Sequence, residues 1–254
     1  VSSGDRTADA RVAGRHALVV FATAALLVTL FDQIGVTLPA IGNVGAALVA
    51  LLFVYGPVVV ARWRNEDLYD YGFHVEPTRR GLITAAVAMA ILFPVFAAGY
   101  VGFYSVVCAS RQLAVLAPPG MCARFSGLVG LHAPALAWNP LADHSFSAFC
   151  AVQFVVVALP EELFFRGMLL RLLERRFPPK HTFLAGGVGL ALVLQAAAFA
   201  VVHVPRYGAQ ALVIFFPGLL FGWMRSSTGS ILASTVTHGA SNIFIELLQR
   251  AVLR

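Results

Sequence analysis

Charge is what this sequence has least of. Only 12% of its 254 residues are Asp, Glu, Lys or Arg, and 59% are hydrophobic, with a mean hydropathy of +0.81. A soluble domain carries about 25% charged residues and about 45–50% apolar ones. The shortage of charge argues against a soluble all-α domain with a large core, because the apolar runs are too long and too many for one. Cysteine is scarce too: Cys108, Cys122 and Cys150 make no disulfide framework and no CxxC pair. There is no HExxH, no internal repeat and no low-complexity stretch. The net charge of +6 lies in short basic clusters between apolar runs. That pattern marks membrane topology and lipid-headgroup contact, and it excludes a nucleic-acid partner.

What is present is a series of apolar runs. A spanning helix needs about 20 such residues, and the runs predict spans at 17–34, 38–61, 81–107, 144–174, 184–204, 209–225 and 230–250. The fold class expected is all-α, a polytopic membrane helix bundle of about seven transmembrane helices. The first run continues past a signal-peptide core and no A-x-A site follows, so it reads as a span. Residues 1–143 form an N-terminal region of three spans and a long connection, 108–143, rich in Pro, Gly and Ala. Within that connection, 126–141 is apolar enough to be re-entrant or interfacial. Residues 144–254 hold the remaining spans and form the expected catalytic core.

Basic residues set the orientation. With the N-terminus in the cytoplasm, the inner segments hold Arg6, Arg11, Arg15, Arg62, Arg64, Arg79, Arg80, Arg171, Arg175, Arg176, Lys180 and Arg225. The outer segments hold only Arg111, Arg124, Arg206, Arg250 and Arg254. The bias follows the positive-inside rule. It predicts a multi-pass protein of the cell inner (cytoplasmic) membrane. It also puts Cys108 and Cys122 outside, where a disulfide between them would persist.

The chain is organised around Leu159-Pro-Glu-Glu-Leu-Phe-Phe-Arg166-Gly167, inside an apolar run from Phe146 to Leu170. Charges at that depth cost several kcal/mol, of order 2.5–3.5 each on insertion scales, and default to function. On a helix Glu162 and Arg166 are i and i+4 and can pair; Glu161 is rotated by about 100° and faces elsewhere. A pair that only fixes helix packing accounts for Glu162 and Arg166 but not for Glu161. Phe199-x-x-x-His203 and His238-x-x-x-Asn242 place further polar groups on two later spans. Taken singly, each has a bland reading, an interfacial histidine or helix–helix glue. A carboxylate, two histidines and an asparagine on three spans suit hydrolysis within a membrane. At about 1.5 Å per residue their estimated depths fall around the middle of the bilayer or somewhat beyond it.

In this order and spacing, Glu161-Glu162-x-x-x-Arg166, Phe199-x-x-x-His203 and His238-x-x-x-Asn242 resemble the motifs of the CPBP family. That family includes the CAAX prenyl proteases and the bacteriocin-processing and Abi-type proteins. The resemblance covers about 144–250 and implies a metal-independent glutamic intramembrane endopeptidase with no cofactor. It implies that Glu161 with His203 activates water, that His238 and Asn242 stabilise the oxyanion, and that Glu162, Arg166 and Phe199 support the site. Oxyanion donors typically contribute about 2.7–4 kcal/mol each. The implied partners are the lipid bilayer and a membrane-anchored protein or peptide, trimmed near its C-terminal anchor or leader as by a myxosortase-like enzyme. Two rivals stand beside this reading. Glu161, His203 and His238 would make a His₂Glu zinc set, which sensitivity to chelators would reveal. A non-catalytic scaffold, an immunity-type binding protein or a transporter would use the same polar cluster without hydrolysis.

Overall fold

The computed structural model describes residues 3–38, 42–127 and 143–253, with backbone only for 3–7. Of the segment 126–141 expected to be re-entrant or interfacial, 128–141 lies outside the described residues. Seven long helices are described: α1 Ser3–Asp32, α2 Val44–Arg64, α3 Thr78–Val107, α4 His144–Arg176, α5 Leu190–Val202, α6 Val204–Thr228 and α7 Leu232–Val252. The short strands β1 Thr37–Leu38 and β2 Gly42–Asn43 pair antiparallel, as do β3 His181–Phe183 and β4 Gly186–Val188. The chain is an all-α membrane helix bundle.

Five of these helices, α1 from Ala8, α2, α3, α4 and α6, are long and apolar enough to cross a membrane, against the seven runs expected. The run at 184–204 does not helix throughout. Its first residues close the β3–β4 hairpin, and α5 keeps 13 residues, a rise of about 20 Å against a hydrocarbon core of about 30 Å. Helix α7 has 21 residues but carries Ser234, Thr235, Thr237, His238, Ser241, Asn242, Glu246 and Arg250 along its length. The apolar side chains on the outside of α3, among them Ile83, Val87, Ile91, Val95 and Val106, are exposed. In water such a patch is a liability; against lipid tails it is ordinary contact.

Local chemistry sets several helix ends. The Asn43 side chain accepts from Ala46 N–H at the start of α2, and Asn65 closes it in the left-handed region at φ 52°. The Asp143 carboxylate accepts from the Ser145 and Phe146 N–H groups at the start of α4. Gly229, at φ 80°, ends α6 with its N–H on the Arg225 carbonyl. Each side chain or turn satisfies backbone groups that a helix end leaves over.

The chain divides into two compact units. The first comprises Val1–Ala85 and Phe154–Val236; the second comprises Ala86–Gln153 and Thr237–Arg254. In the first unit small residues of α1 (Ala13, Ala17, Ala24) meet Phe53, Val60 and Ala61 of α2 and a dense run of α4, from Phe164 to Leu172. Phe199 and Val202 of α5 complete this core. The loop after α2 closes onto α4 at Gly167, where a Cβ would stand 2.8 Å from the Tyr71 carbonyl oxygen. Only glycine admits that approach. Tyr71 itself is fully buried. Burial, with the Glu66 charge added, pushes its hydroxyl pKa up. Nearby, Glu66 accepts from Arg64 and pairs with Arg175, both at 2.7 Å, and Arg64 also reaches Asp9 at 2.9 Å. These contacts tie α1, α2 and α4 together at one end of the unit.

In the second unit Phe93 of α3 stacks on Phe244 of α7 at 4.3 Å, and Ser126 N–H donates to the Val252 carbonyl. Cys108 and Cys122 form a disulfide, and Cys150 is free. A bond between them calls for an oxidising compartment. Without reductant, Cys108 and Cys122 are expected to resist alkylation in intact membranes and to be labelled after reduction, read as a mobility shift. Labelling of both without reduction would contradict the bond.

Candidate active site

Helix α4 is not a uniform α-helix. Pro160 has no N–H to donate, and its ring crowds the carbonyl four residues earlier. The turns just before it, Gln153–Ala158, and just after the glutamates, Leu163–Leu169, are π-helical. Such widened turns inside α-helices are frequent at functional sites. Between them lies Leu159–Glu162, the short α-helical turn that carries both carboxylates.

The two glutamates have different surroundings. Glu162 and Arg166 are both fully buried, with Oε1 and Nη1 2.9 Å apart, one helical turn from each other. The guanidinium lies over the Phe199 ring at 3.8 Å and near the Phe221 ring at 5.1 Å. Glu161 points elsewhere, with Oε2 3.9 Å from His203 Nε2 and the two side chains 14% and 18% exposed.

His203 stands at the joint between α5 and α6. Pro205 sits in the first turn of the next helix, so the chain stops and restarts there. The His203 N–H bonds to the Ala200 carbonyl, leaving the Phe199 carbonyl to accept from the imidazole at Nδ1, 2.7 Å away. A carbonyl only accepts, so Nδ1 carries a proton and Nε2 is the ring nitrogen turned towards Glu161. The Phe199 ring meets His203 edge-on at 4.9 Å and Phe165 at 5.0 Å. Phe199 thus lies between the Arg166 guanidinium and the His203 imidazole. A carboxylate oxygen and an imidazole nitrogen 3.9 Å apart are beyond direct hydrogen bonding but close enough for one bridging water.

His238 and Asn242 belong to the second unit, one turn apart on α7. His238 is buried. Asn242 donates from Nδ2 to Gln153 Oε1 at 2.9 Å, and an amide nitrogen keeps a second N–H. The structure therefore brings Glu161 together with His203 in one unit, and Glu162 with Arg166 and Phe199 in the same unit. Gln153 was not among the residues expected. The available signal was one amide inside the apolar run that leads to the glutamates. Among the described residues, no group of three or more His, Cys, Asp or Glu side chains is spaced to hold a metal ion.

Residues 143–244 match the family model described as Rce1-like, type II CAAX prenyl endopeptidase Rce1-like. The matched segment holds all of Glu161, Glu162, Arg166, Phe199, His203, His238 and Asn242. Residues 1–142 and 245–254 lie outside the match. No curated protein and no solved structure matches the chain. The long apolar helices make this a multi-pass membrane protein, and the family it is similar to over residues 143–244 is one of endopeptidases.

Proposed function

We propose that the chain is a glutamic intramembrane endopeptidase. The observation that carries this is the pairing of Glu161 Oε2 with His203 Nε2 across 3.9 Å, with the imidazole fixed by the Phe199 carbonyl. A water between them donates to both, and its oxygen attacks the scissile carbonyl carbon. One proton passes to Glu161 with His203 as partner, and the carbonyl oxygen becomes an oxyanion. His238 and the second N–H of Asn242 are the proposed oxyanion donors. Collapse of the tetrahedral intermediate returns the proton to the leaving amine, giving one carboxylic acid and one amine. Glu162, Arg166 and Phe199 hold the helix that presents Glu161.

In this reading residues 144–254 are the catalytic core, and the substrate is a membrane-anchored protein or peptide cut near its C-terminal anchor or leader. The protein lies in the cell inner membrane with its N-terminus in the cytoplasm. The basic bias of the inner loops and the Cys108–Cys122 disulfide on the outer side support that orientation.

The test compares the termini of membrane and exported proteins by mass spectrometry in the native host, wild type against Glu161→Ala. A defined set of proteins is expected to keep its anchor or leader only in the variant. Identical termini, alongside a phenotype for loss of the whole gene, would replace the enzyme with a scaffold. Chelators are expected to leave the cleavage unchanged; sensitivity would favour zinc.

A further inference from the structure

Gln195 is fully buried on α5, inside an otherwise apolar helix. Neither its Oε1 nor its Nε2 has a hydrogen-bond partner among the described residues. Arg166 is equally buried. Its ion pair with Glu162 runs through Nη1, while Nε and Nη2 have no hydrogen-bond partner among the described residues. Burying an amide or a guanidinium edge in this way is costly unless something is gained.

Both groups belong to the first unit. Gln195 precedes Phe199 by one turn, on the same face of α5, and the Phe199 ring carries the Arg166 guanidinium at 3.8 Å. On α6, Phe221 is 5.1 Å from that guanidinium. Its neighbour Gly222 lies against Gln195: a Cβ there would stand 2.6 Å from Oε1. The missing side chain at Gly222 is what leaves room for the amide. An amide oxygen is an acceptor and a guanidinium edge offers only donors, so the two are chemical complements. Helix packing alone would be served by leucine or methionine at position 195, with no polar group to bury.

We propose that Gln195 is a positioning residue: its amide oxygen serves the Arg166 guanidinium from α5 through one ordered water, while Glu162 serves it from α4. The same helix carries His203 eight residues on, about 12 Å further along its axis. Gln195 thereby sets the register of α5 against α4, and with it the approach of His203 to Glu161. The proposal rests on the peptidase reading for its consequence, and its contact is tested apart from activity.

The experiment uses the full chain in lipid nanodiscs and in its native host. Gln195→Met keeps the volume and removes the acceptor; Gln195→Glu keeps an acceptor in the same place. In the host, proteins cut in a Glu161-dependent way are expected to accumulate uncut with Gln195→Met, cleavage falling at least about tenfold. Gln195→Glu is expected to restore it. Wild-type cleavage by Gln195→Met, or equal loss in both variants, overturns the positioning role. In nanodiscs the Tm losses of Gln195→Met and Arg166→Met are expected to be non-additive in the double variant, as for groups in one network. Additive losses overturn the proposal whatever the activity shows. If cleavage does not depend on Glu161, the peptidase reading fails, and a non-additive Tm still leaves the Gln195–Arg166 contact standing.

Discussion

Replacing Glu161 with glutamine is expected to lower kcat by about 10²–10⁴-fold or more, the range for loss of a positioned general base, with KM little changed. Glutamine keeps the shape and a carbonyl oxygen towards His203, 3.9 Å away in the wild type, but it takes up no proton from the attacking water. Glu161→Asp is the sharper variant. It keeps the charge and draws it back by one methylene, and a displacement of about 1 Å costs on the order of 10²-fold. An intermediate rate for aspartate, between wild type and glutamine, is therefore expected. The measurement is a time course on a peptide spanning a cleavage site mapped in the native host, with protein reconstituted in bilayers. A Glu161→Gln enzyme within tenfold of wild type would remove Glu161 from the chemistry.

The second large effect concerns stability. Glu162→Gln or Arg166→Met alone leaves its former partner charged at a position with no exposure to solvent. Breaking a buried pair from one side typically costs about 3–5 kcal/mol, whereas replacing both sides by well-packed neutral groups is often neutral or stabilising. Each single variant is expected to lose folded yield and Tm, and Glu162→Gln with Arg166→Met together is expected to recover both. The guanidinium also rests on Phe199 at 3.8 Å, so the long unbranched methionine is chosen to keep that contact. Single variants as stable as wild type would show that the pair does not hold α4 in place.

These two predictions separate neighbouring residues, and the separation was legible in the chain. At about 100° per residue adjacent glutamates cannot share a face; the spacing to Arg166 said which of them pairs. The fixing of His203 is different. Phe199-x-x-x-His203 announced two side chains on one face, but the imidazole bonds to the Phe199 carbonyl because the helix stops there and frees it. That is a consequence of Pro205 and a helix end, not of the side-chain pattern. The Phe199 ring likewise links Arg166 to His203 only once α4 and α5 are packed.

Hydropathy marked where apolar sequence runs but not how each run is spent. Residues 181–188 form a hairpin, and α5 is left with 13 residues; in the second strand Gly186 and Gly187 admit the close approach of Trp223 and Pro179. Gln153 and Gln195 show the same limit from the other side. Each is a single amide in an apolar run, and nothing local says whom it meets; Gln153 meets Asn242, 89 residues away.

By itself the sequence determined the class of the protein, a multi-pass helical membrane protein, because transfer of apolar surface and charge between water and lipid is additive along the chain. It also determined the identity of the polar groups in its spans and the pairing of Glu162 with Arg166, which is one turn of helix geometry. Only the tertiary structure decided that Glu161 meets His203, that Phe199 lies between His203 and Arg166, that the Gln195 amide is buried and that the Gln153 amide meets Asn242. Those are contacts between helices distant in sequence, set by where glycine lets backbones approach and where proline interrupts a helix, and no periodicity in the chain encodes them.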